Sequence, residues 1–116
     1  MDIYHSFFSL NPGSPDTEFS DNLATYLDGL QDAEKIASWR LMRRKLGLGP
    51  RELGEFHLMI EIENLAQLDE AFTFVSTRDG DIEMRHHSVN SMIDKITFAL
   101  YRDFPDPHRV RGAERF

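Results

Sequence analysis

Five side chains in this sequence have types that together suit a reaction: His5, Arg40, His57, Glu61 and Tyr101. An imidazole beside a carboxylate and an arginine can move a proton and hold an anionic or enolate oxygen. Two of the five share one run, Glu55-Phe56-His57-Leu58-Met59-Ile60-Glu61-Ile62-Glu63, which alternates strictly. Phe56, Leu58, Ile60 and Ile62 fall on one side, and Glu55, His57, Met59, Glu61 and Glu63 on the other. Period two is the strand period, so this run predicts a central strand with one face for helices. The other face carries an acid, an imidazole and a thioether. His57, His5, Glu61 and Tyr101 are the candidate catalytic groups. Arg40, Met42, Met59, Phe7 and Trp39 are the candidate ligand-binding ones.

The same residues have a second reading. Buried polar groups are hydrogen-bonded and buried charges are paired, so they can equally form a polar layer inside an interface. The sequence leaves both open. No metal is expected, because nothing in the spacing of two histidines and a carboxylate fixes a ligand geometry, and no other cofactor is expected. His86 and His87 are adjacent and do not share a helical face; one should pack and the other meet solvent. Arg40, Arg43, Arg44, Lys45 and Arg51 form the basic cluster of the chain. It suits a carboxylate or phosphate, or else protects an edge strand from further pairing.

The elements that must position these groups follow from periodicity. Residues 2–10 predict a first strand, with Ile3, His5 and Phe7 on one face and Tyr4, Ser6, Phe8 and Leu10 on the other. Asn11-Pro12-Gly13-Ser14-Pro15 stops it. Ser14 as N-cap and Pro15 at the first helical position start a helix running to about Glu34. Its apolar stripe is Phe19, Leu23, Tyr26, Leu27 and Leu30. Residues 36–46 predict the second strand, broken by Gly47-Leu48-Gly49-Pro50. A hairpin with the central strand is expected in a register whose paired numbers sum to 101, setting Trp39 against Ile62, Arg40 against Glu61, Met42 against Met59 and Arg44 against His57.

Asn64 caps a second helix with Gln67 as its capping-box partner, and Leu65, Leu68, Ala71, Phe72 and Val75 form the stripe. Arg78-Asp79-Gly80 ends it. Asp81 caps a short further helix with Ile82, Val89, Met92 and Ile93 on one face. Residues 95–104 predict the last strand, Ile96, Phe98 and Leu100 facing the helices and Thr97, Ala99 and Tyr101 facing away. From Pro105 no core stripe remains. The expected organisation is therefore a domain over 1–104 and a C-terminal tail over 105–116, whose Arg109, Arg111 and Phe116 suit docking on an acidic partner copy.

Bulk properties narrow the possibilities. The 116 residues are 41% hydrophobic and 28% charged, which fits one globular domain. The net charge of -7 argues against non-specific nucleic-acid or acidic-lipid binding. Absence of cysteine excludes disulfides, thiol catalysis and zinc–thiolate sites. No long apolar segment predicts a membrane span, and the expected location is the cytoplasm.

Strand, helix, strand, strand, extended helix, strand is the split βαβ order of a ferredoxin-like α+β fold, with an antiparallel sheet in the order 4-1-3-2 and helices on one face. The free face then holds Ile3, Phe7, Met42, Met59, Ala99 and Tyr101, too apolar for a wet sheet, and a second copy is expected to cover it. The strand Ile3-Tyr4-His5-Ser6-Phe7-Phe8 and the run Phe56–Leu68 resemble the dimeric α/β-barrel superfamily. That superfamily includes antibiotic-biosynthesis-type and haem-degrading monooxygenases and stress-responsive barrel proteins, and the chain is most similar to an uncharacterised bacterial branch. The resemblance implies a homodimer with a cleft between sheet and helices. It carries no haem triad onto this chain: Trp39 is on a strand, and no asparagine occupies the first strand. Two functions are expected from it. One is binding or transforming a small apolar or aromatic molecule in that cleft, with His57 or His5 reaching in. The alternative is a non-catalytic structural or stress-related homodimer whose polar sheet residues only stabilise the interface.

Overall fold

A computed structural model describes residues 1–76, 80–106, 110 and 112. The elements are β1 (Asp2–Leu10), α1 (Asp16–Asp32), β2 (Ser38–Arg43), a 3-10 turn (Arg51–Leu53), β3 (Phe56–Ile62), α2 (Leu65–Ser76), α3 (Gly80–Asn90) and β4 (Ile93–Arg102). The strands form one antiparallel sheet in the order β2-β3-β1-β4. This is the expected ferredoxin-like arrangement. A single chain makes an open sheet and not a closed barrel. The expected helix end at Arg78-Asp79 and the tail residues Arg109, Arg111 and Phe116 lie outside the described residues.

The core lies between the sheet and α1. Phe19, Leu23, Leu27 and Leu30 recur at helical spacing and are buried against Phe8, Phe56, Leu58 and Ile62. Phe8, Phe19 and Phe56 form an aromatic centre with ring separations of 5.4–6.0 Å. Removing such a buried ring costs about 3–5 kcal/mol. The buried Asp2 carboxylate is gripped by two guanidinium nitrogens of Arg102, which hold its pKa below the usual carboxylate value. This tie fastens the ends of β1 and β4 together.

Several local expectations are corrected. The first helix begins at Asp16, one residue later than Ser14-Pro15 implied. Pro15 is extended and gives its carbonyl to the Phe19 N–H, while the Ser14 N–H is used in a turn with Asn11. The helix stops at Asp32 because Glu34 turns left-handed at φ 59°, and Lys35 N–H closes back on the Leu30 carbonyl. β2 is shorter than 36–46: Leu46 and Gly47 take positive φ and turn the chain out of the sheet. Leu46 is left 91% exposed. α3 ends at Asn90, so Met92 and Ile93 follow the helix instead of joining its face. β4 begins at Ile93, two residues earlier than expected. The second helix is capped as expected: Asn64 Oδ1 accepts from Gln67 N–H at 2.9 Å.

The β2–β3 register is also corrected. Paired numbers sum to 99: Trp39 faces Ile60, Arg40 faces Met59, Leu41 faces Leu58 and Met42 faces His57. Arg40 thus loses Glu61, and Arg44 loses His57. The reason lies in side-chain ties at both ends. Ser38 Oγ donates to Glu61 at 2.9 Å, and Arg43 reaches both Glu55 and Asp16 at 3.0 Å. The slip is by two residues, so every side chain keeps its face.

Gly54 brings the chain into β3 at φ +79°, and a Cβ there would sit 2.6 Å from the Phe8 carbonyl carbon. Gly54→Ala combines a strained dihedral with a backbone collision, so a loss of about 1–3 kcal/mol or more is expected. Urea unfolding monitored by circular dichroism measures it. An unchanged midpoint would contradict this packing.

Candidate functional site

The period-two pattern of β1 decides what each face of the sheet offers. Ile3, His5 and Phe7 go one way, and Tyr4, Ser6 and Phe8 go to the helices. On the open face, His5 and His57 meet: His5 Nδ1 and His57 Nε2 lie 2.8 Å apart. The Phe7 ring stacks on His57 at 4.2 Å, and Tyr101 sets its edge against His5 at 5.0 Å. Met59 is paired across strands with His5, and Met42 with His57. Arg40 and Glu61 share this face, Glu61 bonded to Ser38. The structure therefore brings His5, His57, Tyr101 and Phe7 into direct contact, with Met42, Met59, Arg40 and Glu61 around them. Trp39 stands apart on the helix side, its indole N–H donating to Asp28 at 2.8 Å.

One expectation is overturned by this geometry. Neither His5 nor His57 reaches into the space between sheet and helices, because their strand neighbours occupy that side. Burial lowers the pKa of both imidazoles, and their mutual repulsion lowers that of His57 further. One neutral ring donates and the other accepts, an arrangement two imidazolium ions cannot make. The sign of the pH dependence follows. Below the ordinary imidazole pKa of about 6.5 the unfolded chain takes up protons that the native pair resists. Stability should be full above that pH and fall as pH drops through it towards the lowered native values. Urea midpoints at pH 7.5 and 5.5 test this; the difference should shrink in a His5→Phe/His57→Phe double variant.

The space between sheet and helices is a cleft of about 530 Å³. Its interior is apolar, built from Phe8, Leu23, Leu27, Leu58 and Ile60. Its open lip was not expected. Ile96, Phe98 and Leu100 do face the helix side, but β4 is an edge strand beyond the cover of the helices, and Phe98 is 54% exposed. Phe72 of α2, on the expected core stripe, is 53% exposed. Tyr4 lies between them, stacked on Phe98 and edge-on to Phe72, each at 5.6 Å.

Polar groups on the cleft walls are few. The hydroxyls of Tyr4, Ser6 and Tyr26 have no hydrogen-bond partner among the described residues. Ser6 is 4% exposed, yet no buried side-chain polar atom lacks a partner, so its hydroxyl opens onto the cleft. Burial pushes the Tyr26 phenol up to about 12 and raises that of Tyr4, keeping both as neutral donors. His86 lies against Tyr26 at 5.5 Å between ring centres, and its Nε2 accepts from Asn90 at 3.1 Å. In the neutral ring that leaves Nδ1 protonated. His86 is half-buried and His87 exposed, and Glu83 completes the α3 contribution. Tyr26, Glu83 and His86 are absent from the expected site. The spacing Glu83-Met84-Arg85-His86 puts acid and imidazole on one face of a helix, which is the sequence signal for them.

Comparison with known proteins places this geometry. A model of a family of unknown function (DUF6614) matches residues 1–116. The chain belongs to that family. No curated protein matches it by sequence. Solved structures share its fold. SnoaB, a cofactor-independent oxygenase from Streptomyces nogalater, is 7% identical with a TM-score of 0.66, covering 93% of this chain and 97% of its own. A dimeric ferredoxin-like protein of unknown function from Thermobifida fusca is 15% identical with a TM-score of 0.57, over 87% and 90%. A dabb family protein with a ferredoxin-like fold from Mesorhizobium loti is 15% identical with a TM-score of 0.59, over 88% and 96%. At such identities the likeness is one of fold. It extends to an oxygenase and to a dabb family protein alike. Among the described residues, no helix is long and apolar enough to cross a membrane.

Proposed function

We propose that this protein is a homodimer, joined through the open sheet face, that binds a small and largely apolar molecule in the cleft of each protomer. The observation that carries the ligand reading is the cleft itself: about 530 Å³, apolar inside, with three hydroxyls that have no partner among the described residues. That size and lining match small-molecule sites, in which a few polar groups orient a mostly apolar ligand. Such hydroxyls recover their hydrogen bonds from a ligand oxygen or nitrogen, or from water.

The dimer reading rests on the other face. Phe7, Met42, Met59 and the His5–His57 pair, whose facing nitrogens bond each other, make a largely apolar patch at its centre. A second copy covering it buries the aromatic cluster and has to answer the charges of Arg40 and Glu61 with its own. Solved proteins of this fold include ones described as dimeric. In this reading His5, His57, Glu61 and Tyr101 line the interface, with Arg40 at hand for a partner's carboxylate.

Titration with 2-naphthylmethanol, a neutral bicyclic probe, tests the ligand reading through the anisotropy of its own fluorescence. Saturable binding with Kd below about 1 mM is expected, corresponding to about −4 kcal/mol or better. It should weaken severalfold in Ser6→Ala or Tyr26→Phe. No saturable binding, or binding untouched by both substitutions, would overturn the cleft as the site.

A further inference from the structure

The charge on the cleft walls carries a ligand class. Among the described residues no lysine or arginine lines the cleft, while Glu83 does. Glu83 has no ion-pair partner among them either. The arginine nearest to it in sequence, Arg85, is turned to α1, where its guanidinium lies against Gly29. The Lys35 ammonium is engaged with Glu70 and the Phe74 ring. A carboxylate or phosphate entering this space would therefore lose hydration and meet no lysine or arginine among the described residues, beside a carboxylate and within a chain of net charge -7. An ammonium would meet the opposite: the Glu83 carboxylate, neutral phenol hydroxyls and the aromatic side chains of Tyr26 and Phe72.

We propose that the cleft selects apolar amines, taking the ammonium at Glu83 and the apolar body against Phe8 and Leu27. This rests on the cleft-binding reading above, which supplies the site but not the charge of its ligand. Glu83 stands in the first turn of α3, where an acid also favours the helix dipole. That role alone gives no reason for it to face a cleft lined by no described lysine or arginine.

Three probes of one shape separate the possibilities: 2-naphthylmethylamine, 2-naphthylmethanol and 2-naphthoate, titrated into the full chain at pH 7.5. The amine should bind about tenfold or more tightly than the alcohol, the usual weight of a hydrogen-bonded charge pair, and the carboxylate at least about tenfold more weakly. Glu83→Gln should bring the amine to within about threefold of the alcohol, as expected when one charge interaction is removed. In the unaltered chain, raising the salt from low to molar concentration should shrink the amine advantage, which needs no variant to fold. If the alcohol binds while the amine has no advantage, or the carboxylate binds best, the amine selectivity is wrong and the cleft reading stands. Absence of binding by all three overturns the cleft reading instead.

Discussion

Phe7→Glu is expected to convert the proposed dimer into a folded monomer. Phe7 is at the centre of the open face, its ring stacked on His57. It is half-exposed in the protomer, so a carboxylate there can remain hydrated while the chain is alone. In a covered interface the same carboxylate is desolvated on both copies, facing its own symmetry mate or a neutral imidazole. An unpaired buried charge costs several kcal/mol, enough to raise the dimer dissociation constant by about 100-fold or more. Circular dichroism should show native secondary structure, and sedimentation equilibrium should show loss of the dimer. Binding of 2-naphthylmethanol should survive, because the cleft is on the other side of the sheet. A dimer as tight as that of the unaltered chain would place the interface elsewhere.

The converse substitution is Ala71→Phe. Ala71 is the buried residue of α2 and forms part of the cleft wall. Ala71 belongs to the core and also borders the cleft, so the cleft volume can take up a benzyl group and offset part of the usual overpacking cost of about 1–3 kcal/mol. It occupies volume that the probe requires. Affinity for 2-naphthylmethanol should fall by at least about tenfold, the cost of about 1.4 kcal/mol or more in lost contact. The sedimentation profile should be unchanged. The two substitutions thus exchange phenotypes: one loses the dimer and keeps the ligand, the other the reverse. Loss of both functions in either variant would mean that the sheet couples the faces, contrary to this account.

The fold was legible in the sequence to the extent that periodicity is a backbone property. Strict alternation in Phe56–Ile62 and the helical stripe Phe19, Leu23, Leu27 and Leu30 decide which side each residue takes, and the structure keeps those sides. Register and ends were less legible because they depend on single contacts. Arg43 bridging Asp16 and Glu55 shifts the hairpin by two residues, and the left-handed Glu34 ends a helix without any glycine to announce it.

The candidate site was legible in half. The alternation that puts Tyr4, Ser6 and Phe8 against the helices sends His5 to the opposite face, so an imidazole in β1 cannot serve the cleft. That consequence was available from period two alone. The cleft's own polar groups come from helices that the strand pattern does not register. Their signal was the i,i+3 pair Glu83 and His86. The exposed lip was not legible, because Phe72 and Phe98 obey their stripes perfectly well. Only the relative placement of α2 and the edge strand β4 shows that nothing in the described chain covers them.

The open face is proposed as the interface between two copies of the chain. Sedimentation equilibrium of the unaltered chain at micromolar concentration and pH 7.5 measures this directly. A mass twice the chain mass of 13.5 kDa is expected, shifting to the single-chain value in Phe7→Glu. A single-chain mass for the unaltered protein at that concentration would contradict it.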